Sequence, residues 1–414
     1  MSEVTSNFPQ LRFPDFDDKW EEKRLSDIAE KSNVKNRDNE VSSVFTNSAT
    51  KGVVNQRDFF DKDIANQNNL DGYYIINHDN FVYNPRISFS APVGPLNRNH
   101  LGTGVMSPLY TILKINNVSL DFIERYFKTT KWHRYMNNIA NIGARHDRMN
   151  IISSDFMKMP IPLPKDEEQQ KIAASLAAVD NKIEQLSKKQ ELLGEYKKGL
   201  MQQIFSQEIR FKADDGSDFP DWEEKKLGNI SNVSKLAGYE FTKYIKYQDT
   251  GSIIALRGLN IKKNKLDLSV VKFIDNSDFS RLNRSKLFID DLMFTYIGTI
   301  GEVALIDEDD KYYLAPNVSR IRFNNEVCLP RFAIQYFNRE VFKQGEIKKY
   351  VSSSSQPALT MGNVRLFILN LPTKPEQQKI ANFLSSIDSK IEQVGEQLDK
   401  SKQFKKALLQ QMFV

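Results

Sequence analysis

A short cluster of acidic and basic residues in the middle of the chain is the first place to look for catalysis. Asp221, Glu223 and Lys225 follow Pro220 in close succession. Carboxylates with a lysine occur in magnesium-dependent nucleases, because Mg²⁺ prefers oxygen ligands. Asp221 and Glu223 are only two positions apart, however, whereas the ligands of such sites normally come from separate strands. We therefore interpret this segment as a packed opening strand rather than an active site.

No other pattern in the sequence predicts an enzyme. The chain has no Walker A sequence for ATP and no strand-linked Gly-x-Gly-x-x-Gly cofactor loop. Asn84-Pro85-Arg86 lacks the second proline and the aromatic residue of an amino-methyltransferase motif. The four histidines and the single cysteine do not have zinc-ligand spacing, and no Ser/His/Asp arrangement can be argued. The sequence favours a binding scaffold, with no catalytic residue, metal or cofactor on this chain.

The elements that would position a binding site are duplicated. Residues 163–205 recur as residues 371–413 without a gap, with 20 identities in 43 aligned pairs. Trp20-Glu-Glu-Lys-Arg-Leu25 also matches Trp222-Glu-Glu-Lys-Lys-Leu227 near the start of each half. A repeat of this size predicts that the molecule is built from two similar units.

The middles of the two halves differ. Residues 29–162 and 231–370 share almost no readable identity. A constant frame around two different inserts suits a module with two recognition heads, and neutral drift of a duplicated scaffold is the alternative. Strand-like runs separated by glycine turns predict mixed α/β heads. A helical segment in each, from Leu120 to Asn138 and from Leu329 to Lys349, contains a Tyr-Phe pair, which predicts that the heads share a fold.

Each half closes with a long predicted helix whose apolar residues have coiled-coil spacing. Polar residues such as Lys197 and Lys405 interrupt this seam and are expected to fix its register. Since the seam of a single helix would remain exposed to solvent, we expect each long helix to pack on the other. An antiparallel pair places the heads at opposite ends. The alternative is that the helices pack in some other oligomer. The seam residues are Ile172, Leu176, Val179, Ile183 and Leu186 in the first helix, and Ile380, Leu384, Ile387, Ile391 and Val394 in the second.

Composition limits the class of protein. The chain has 414 residues and is 40% apolar, which suggests two or three domains with real cores. The lone Cys328 excludes a disulfide framework and suits a reducing compartment. The sequence predicts no signal peptide and no membrane span, hence a cytoplasmic protein. The net charge of +5 permits nucleic-acid binding without demonstrating it.

These observations predict an α+β fold with a pseudo-twofold internal repeat. Two mixed α/β recognition domains are separated by two long antiparallel coiled-coil helices. The predicted parts are a first recognition domain at 1–163, a first spacer helix at 164–207, a second recognition domain at 208–371 and a second spacer helix at 372–414.

The combination of motifs resembles the specificity subunit of type I restriction–modification enzymes. The resemblance is carried by the Trp-x4-Leu-x2-Ile openings, the Gly298-Thr-Ile-Gly301 turn and the two Pro-x3-Glu-Gln-Gln-Lys-Ile-Ala helices. It implies that each head is a target-recognition domain that reads one half of a bipartite, asymmetric site in double-stranded DNA. The helices would set the half-site spacing, and the two ends of the chain would meet.

The resemblance also implies the partners. Two modification subunits would dock on the helices and bring S-adenosylmethionine to adenines in the target. Two restriction subunits would add translocation and cleavage with ATP and Mg²⁺. The chain itself would catalyse nothing.

Polar and basic loops are the candidate DNA contacts, because arginine pairs with guanine and asparagine or glutamine with adenine. A phosphate contact or a solvated charge is the alternative for each of them. In the first head the candidates are Arg86, Asn97, Arg98, His100, Arg145, His146 and Arg148. In the second head they are Arg257, Asn260, Lys262, Lys263, Arg284, Ser353 and Gln356.

Two other functions remain open from the residues alone. The first is a fused modification–specificity enzyme, against which the absent methyltransferase motifs count. The second is a coiled-coil adaptor with two protein-binding heads. Salt-dependent DNA binding distinguishes the adaptor from a DNA reader, because phosphate contacts release counterions.

Overall fold

The computed structural model describes residues 8–59, 70–140, 147–352 and 357–414. The chain forms two compact units, one from residues 1–188 with 395–414 and one from residues 189–394. The division falls inside both long helices. Each unit therefore contains one head, the first part of one long helix and the last part of the other.

The first unit is a mixed α/β head followed by a long helix. Its strands are β1 (Glu21–Arg24), β2 (Ala29–Ser32), β3 (Phe45–Ser48), β4 (Gly52–Asn55), β5 (Tyr74–Ile76), β6 (Phe81–Tyr83), β7 (Leu96–Arg98), β8 (Gly104–Met106), β9 (Thr111–Ile115) and β10 (Pro160–Leu163). Its helices are α1 (Leu25–Ile28), α2 (Gln56–Phe59), α3 (Leu120–Phe127), α4 (His133–Ile139) and α5 (Ser153–Met157), and α6 (Asp166–Phe205) leads on into the second unit.

The second unit has the same kind of head. Its strands are β11 (Glu223–Lys226), β12 (Ser231–Lys235), β13 (Ile254–Leu256), β14 (Ile261–Lys262), β15 (Lys265–Leu266), β16 (Leu292–Thr295), β17 (Val303–Leu305), β18 (Tyr312–Leu314), β19 (Val318–Phe323) and β20 (Ile368–Leu371). Its helices are α7 (Leu227–Ile230), α8 (Gly238–Tyr244), α9 (Pro330–Phe337), α10 (Glu340–Phe342) and α11 (Met361–Arg365), and α12 (Lys374–Gln411) leads back to the first unit.

Both units build the same four-stranded antiparallel sheet. The strand order is β2-β9-β6-β7 in the first and β12-β19-β16-β17 in the second. In each unit a separate antiparallel pair joins the opening strand to the strand before the long helix, with Glu21 opposite Leu163 and Glu223 opposite Leu371. The shared topology confirms that the two heads have one fold despite their different sequences.

The heads differ in the strands outside this sheet. In the first, β5 pairs with β8 in antiparallel orientation, whereas in the second β13 pairs with β18 in parallel. The loop that closes the hairpin of the sheet is also longer in the first head, at residues 84–95, than in the second, at residues 296–302. Two sheets of the same topology, one in each head, thus carry different sets of loops.

The helical segment predicted in each head is present, and the structure divides it into shorter helices. In the first head α3 ends at Phe127 and α4 begins at His133. The Thr129 hydroxyl donates to the Tyr126 carbonyl at 2.7 Å, and the Trp132 indole donates to the carbonyls of Phe127 and Thr129 at 3.2 and 3.1 Å. These bonds satisfy the carbonyls at the end of α3, so the helix ends there. In the second head, α9, α10 and short π and 3₁₀ turns share the predicted span.

Within each unit, apolar residues of the two long helices share a hydrophobic core. In the first unit, Ile172 and Leu176 of α6 share a hydrophobic core with Leu408 and Met412 of α12. In the second unit, the core contains Ile204 from the end of α6 together with residues from the start of α12. Within each unit, therefore, the beginning of one long helix packs against the end of the other, as an antiparallel pair requires. The other predicted seam residues, Val179, Ile183, Leu186, Ile380, Leu384, Ile387, Ile391 and Val394, are all buried or half-buried.

Two ion pairs accommodate the lysines that interrupt the seam. Lys405 lies 2.5 Å from Asp180, and Lys197 lies 2.6 Å from Asp388. The two lysines are 208 residues apart in the chain, and so are the two aspartates. The repeat has therefore preserved one ion pair in each unit, which ties a position on α6 to a fixed position on α12.

Each of these aspartates also bonds to its own head. Arg125 of α3 pairs with Asp180, and the Gln335 amide of α9 donates to Asp388 at 3.0 Å. Arg125 and Gln335 occupy the same place in the repeat, immediately before the Tyr-Phe pair. One carboxylate in each unit thus joins the head helix to both long helices.

A buried glutamine ties the start of each long helix to its head. The amide oxygen accepts the backbone N–H of the residue that caps the head helix, and the amide nitrogen donates to the carbonyl of the proline before the long helix. For Gln169 the partners are Ser119 at 3.0 Å and Pro164 at 2.9 Å, and for Gln377 they are Leu329 at 2.8 Å and Pro372 at 2.9 Å.

The glutamate before each glutamine is buried as well. Glu168 accepts both forks of the Arg12 guanidinium at 2.8 Å, which raises the pKa of Arg12. Glu376 is held in the same way by Arg210 and also accepts from the Trp222 indole at 3.2 Å. The repeated Glu-Gln-Gln sequence is therefore structural in its first two residues.

Replacing Gln377 by alanine should lower the free energy of unfolding of the second unit by about 1–3 kcal/mol. The substitution removes the partners of one backbone N–H and of two carbonyls, those of Val327 and Pro372. Urea unfolding of the full chain measures the effect. Gln378→Ala is the control, because Gln378 is exposed and its amide bonds only to Asn382 in its own helix. Equal losses in the two variants would contradict the structural role of Gln377.

Candidate nucleic-acid interface

In the first unit, the hairpin loop of the four-stranded sheet is joined to a segment that returns from the head helices. We call residues 84–95 hairpin loop 1 and residues 147–149 return segment 1. The Ile87 N–H donates to the Asp147 carbonyl at 3.1 Å, and the Met149 N–H donates to the Pro85 carbonyl at 2.8 Å. Arg86 and Arg148 face each other in an antiparallel bridge. Two loops that the sequence suggested separately thus form one surface.

The second unit repeats this arrangement. Residues 296–302 form hairpin loop 2 and residues 357–359 form return segment 2. The Leu359 N–H donates to the Tyr296 carbonyl at 2.9 Å, and the Gly298 N–H donates to the Pro357 carbonyl at 3.3 Å. Ile297 and Ala358 form the bridge. Sequence reasoning treated Gly298 to Gly301 as a turn only, although its place in the repeat matches that of hairpin loop 1.

Different interactions fix the two hairpin loops. In hairpin loop 1, Gly94 has a φ of 82°, and a Cβ at this position would lie 2.1 Å from the Asn84 carbonyl oxygen. In hairpin loop 2, the Thr295 hydroxyl donates to the Thr299 carbonyl at 2.5 Å and accepts the Glu302 N–H at 2.9 Å. Each loop is therefore held in one tight conformation at its base.

A buried amide network supports hairpin loop 1 and includes Asn97. The Asn47 amide donates to the carbonyl of Val82 in β6 at 2.7 Å and to that of Pro95, the last residue of the loop, at 3.1 Å. Asn97 donates to the Asn47 side chain at 2.6 Å, and its own oxygen accepts from Lys128. A buried and fully bonded amide does not reach a base edge. The prediction that Asn97 contacts DNA is therefore corrected, because its role is to hold the loop.

Arg98 and His100 are next to carboxylates. Arg98 is 11% exposed and bonds to Asp79 at 2.8 Å and Asp121 at 2.5 Å. His100 is exposed, with Nε2 at 3.1 Å from Glu124. Local carboxylates already compensate the charge of Arg98, so its surroundings fit a structural ion pair rather than the DNA contact that we predicted.

In the second head, Asn260 is also corrected to a structural residue. It is fully buried, its amide donates to the carbonyls of Asp267 and Val270 at 2.9 Å, and its oxygen accepts the Arg257 N–H at 3.2 Å. Arg257 donates to the Val270 carbonyl at 3.0 Å. Lys262 pairs with Asp267 at 2.7 Å. This ion pair, together with hydrogen bonds from Ser269, holds the pKa of Asp267 well below its usual range.

The remaining predicted residues lie at several places. Arg86 and Arg148 lie in hairpin loop 1 and its return segment. The Lys263 N–H donates to Glu302 of hairpin loop 2 at 2.8 Å. Arg284 is exposed at a separate place, where its backbone carbonyl accepts a hydrogen bond from the Arg320 side chain. The residues Arg145, His146, Ser353 and Gln356 lie outside the described residues. Lys235, which sequence reasoning missed, lies 5.2 Å from the Tyr296 ring of hairpin loop 2.

A groove in the second unit runs along the second half of α6. Its volume is about 790 Å³, and it is lined by Met201 and Phe205 on one side and by Arg339 and Val341 on the other. The Arg339 guanidinium lies 4.7 Å from the Phe205 ring centroid, and burial lowers the pKa of Arg339. The lining surface is largely apolar and also includes charged residues of both signs, such as Lys198 and Glu340, which suits contact with another protein chain.

Each long helix also exposes one aromatic residue at the same position of the repeat. Tyr196 on α6 and Phe404 on α12 are 208 residues apart, and both are 56% exposed. Solvent-exposed aromatic rings on an otherwise polar helix face are common anchors of protein interfaces. The duplication provides two similar contact surfaces.

The acidic cluster near residue 221 has no catalytic geometry. The Asp221 side chain is fully exposed, and Glu223 pairs with Lys225 at 2.7 Å in the opening strand. Trp222 is buried, as we expected for a packed strand. Over the described ranges, no three His, Cys, Asp or Glu side chains come together as a metal site, and no helix is long and apolar enough to cross a membrane.

Comparison with known proteins identifies a family and a fold. The family profile "Type I restriction modification DNA specificity domain" matches residues 17–193 and 220–400. The type I restriction enzyme MjaVIII specificity subunit of Methanocaldococcus jannaschii is 28% identical over 315 residues, which is 72% of each chain. The crystal structure of a type I restriction–modification S subunit from M. genitalium aligns with a TM-score of 0.56 at 14% identity, over 98% of this chain and 99% of that one.

A second solved structure has the same fold. It comes from a study of complex assembly and conformational transition of the type I R-M system, and it aligns with a TM-score of 0.58 at 13% identity. The alignment covers 95% of this chain and 97% of the other. The duplicated helix-and-head organisation therefore exists in solved structures of very different sequence.

Asn97→Ala should lower the free energy of unfolding by about 1–3 kcal/mol, because the Asn47 side-chain oxygen and the Lys128 ammonium each lose their Asn97 partner in the buried network. His100→Ala should change it by less than about 0.5 kcal/mol, because His100 is exposed. Thermal unfolding of the full-length variants makes the comparison. A neutral Asn97→Ala would show that the network does not hold hairpin loop 1.

Proposed function

The chain belongs to the family of type I restriction–modification DNA specificity proteins, and on this basis we propose that it selects the DNA target of a type I restriction–modification complex. Each head reads one half of a bipartite, asymmetric double-stranded site through its hairpin loop and return segment. The chain contributes recognition, and the methylation and cleavage chemistry lies on partner subunits. The main support is that two heads of one fold carry different loops at the same place on the same sheet.

The charge of the first head supports DNA as its ligand. Arg86 and Arg148 are directly opposite each other in an antiparallel bridge. Like charges in this position repel each other. Asp147, which lies 3.7 Å from Arg148, offsets part of this repulsion, and an anion bound at the two guanidinium groups would offset more of it. Arginine side chains bind both phosphate oxygens and the guanine edge, so this pair suits the surface of a DNA duplex.

The long helices are the proposed docking site of the modification subunits. Two identical subunits need two similar surfaces, and the exposed aromatics Tyr196 and Phe404 supply one on each helix. The helices also set the separation of the half-sites. S-adenosylmethionine, ATP and Mg²⁺ belong to two modification and two restriction subunits in this proposal, and this chain supplies no ligand to them.

The test of the proposed function is methylation mapping. The chain is co-expressed with the neighbouring modification subunit, and methylated adenines in the host DNA are mapped. A split motif with two unlike half-sites is expected. A stable purified complex that adds no methylation would contradict the proposal and favour a protein adaptor.

Arg86→Ala tests the role of the first head in the same complex. If Arg86 pairs with a base, we expect a relaxed base preference within one half-site and a loss of about 1–3 kcal/mol of binding free energy. If Arg86 binds phosphate, the slope of the logarithm of affinity against the logarithm of salt concentration should be lower by about one. The other half-site should stay unchanged. Arg24→Ala, at an exposed arginine of the opening strand, is the control. Unchanged affinity, preference and salt slope for Arg86→Ala would exclude Arg86 from the interface.

Substitutions of the exposed aromatics test the docking surface. Tyr196→Ala and Phe404→Ala should each weaken the binding of one modification subunit, so native mass spectrometry should show complexes with one such subunit instead of two. The double variant should lose both. Tyr239→Ala is the control, because Tyr239 is an exposed tyrosine of the second head. Full occupancy in the double variant would refute docking at these positions.

A further inference from the structure

The tip of hairpin loop 1 is a tight turn that carries a fully exposed aromatic ring. Phe89 lies at the corner of the turn from Ser88 to Ala91 and is 107% exposed. Ser88 and Ala91 exchange both backbone hydrogen bonds, at 3.0 and 3.1 Å, and the Ser88 hydroxyl accepts the Ala91 N–H at 3.2 Å. No other large apolar side chain among the described residues is as exposed.

The ring is exposed on a rigid support rather than on a loose loop. The Asn47 amide joins β6 to the last residue of hairpin loop 1, and the bridge from Arg86 to Arg148 holds the loop at the base of its turn. Gly94 allows the loop to close where a side chain would collide with the Asn84 carbonyl. A ring that is already positioned loses little conformational freedom when it binds. The arrangement is typical of a contact residue that enters its partner.

The charges beside the ring identify the partner. Arg86 and Arg148 lie at the base of the turn, with Asp147 at 3.7 Å from Arg148, and the turn itself contains only serines and an alanine around Phe89. An apolar tip between cationic flanks suits duplex DNA, where arginines bind the phosphates and an aromatic or aliphatic side chain enters between base pairs. An apolar patch on a protein partner would not require two arginines side by side.

We propose that Phe89 is an apolar wedge that inserts at one base step of the first half-site and unstacks it. This inference rests on the proposed function, since it assumes that hairpin loop 1 faces DNA. A wedge senses how easily a step opens, and pyrimidine–purine steps open most easily. Phe89 therefore adds sequence preference without a hydrogen bond to a base.

Hairpin loop 2, all of whose residues the structure describes, has no counterpart of this wedge. Hairpin loop 2 is shorter, its tyrosine, Tyr296, is buried, and Ile297 and Ile300 are half-buried. Its tip is formed by glycine and threonine, which leave no ring to insert. The proposed deformation therefore applies to the first half-site and not to hairpin loop 2.

The experiment uses the full chain in complex with its modification subunits and duplexes of the mapped target. 2-Aminopurine, whose fluorescence rises on unstacking, is placed in turn at each step of the first half-site. Wild type and Phe89→Trp should raise the fluorescence at one step, and Phe89→Ala should not. Phe89→Ala should also bind about 10-fold more weakly, which is the order expected for one lost stacking contact. Its salt slope should be unchanged, because no phosphate contact is lost.

Controls separate the possible failures. Leu101→Ala removes another exposed apolar residue of the first head and should bind like wild type. Unchanged affinity and fluorescence in Phe89→Ala would refute the wedge while the proposed function stands. Loss of a modification subunit from Phe89→Ala would also refute it and assign Phe89 to a protein contact. A wild-type complex without sequence-specific binding would refute the proposed function itself.

Discussion

The buried glutamine at the start of each long helix is the interaction on which the rest of the structure depends. Gln169 and Gln377 each satisfy backbone groups of the head helix cap and of the chain before the long helix. Buried polar groups of this kind must be bonded, so the angle between head and helix has one solution. The head helix in turn packs on the four-stranded sheet. Because the sheet is held in place by the head helix, it can carry different loops. This explains how two heads with almost no common sequence keep one topology.

The ion pairs of the seam act on a different property, the register of the long helices. An apolar seam alone would be at least as stable, but it would allow the helices to slide by a heptad. Lys197 and Lys405 meet Asp388 and Asp180 in only one register, and each pair lies within its own unit. A slip would leave a lysine near the seam without its carboxylate in both units at once. The repeat therefore doubles the free-energy penalty for a wrong register.

The sequence predicts the long helices and the duplication of the heads, but it does not predict the surface formed by hairpin loop 1 and return segment 1, for a physical reason. Helix periodicity and repeated tryptophan openings are local patterns, and they predicted α6, α12 and the shared heads. The surface from Arg86 to Arg148 joins residues that are far apart in the chain, which no local pattern records. Polar residue type also fails as a guide, because Asn97 and Asn260 are buried donors within the heads rather than exposed contacts. Burial and bonding decide such cases, and both are tertiary properties.

The two hairpin loops show what this division permits. Hairpin loop 1 is fixed by buried amides below the sheet hairpin, whereas hairpin loop 2 is fixed by the Thr295 hydroxyl and left-handed glycines within the loop itself. Neither set of bonds involves the seam, the glutamines or the ion pairs of the long helices. A change confined to a loop therefore leaves the hydrogen bonds of the glutamines and the ion pairs of the long helices in place. The loops and the long helices rest on different hydrogen bonds, and under the proposed function this separation allows one duplicated scaffold to read two unlike half-sites.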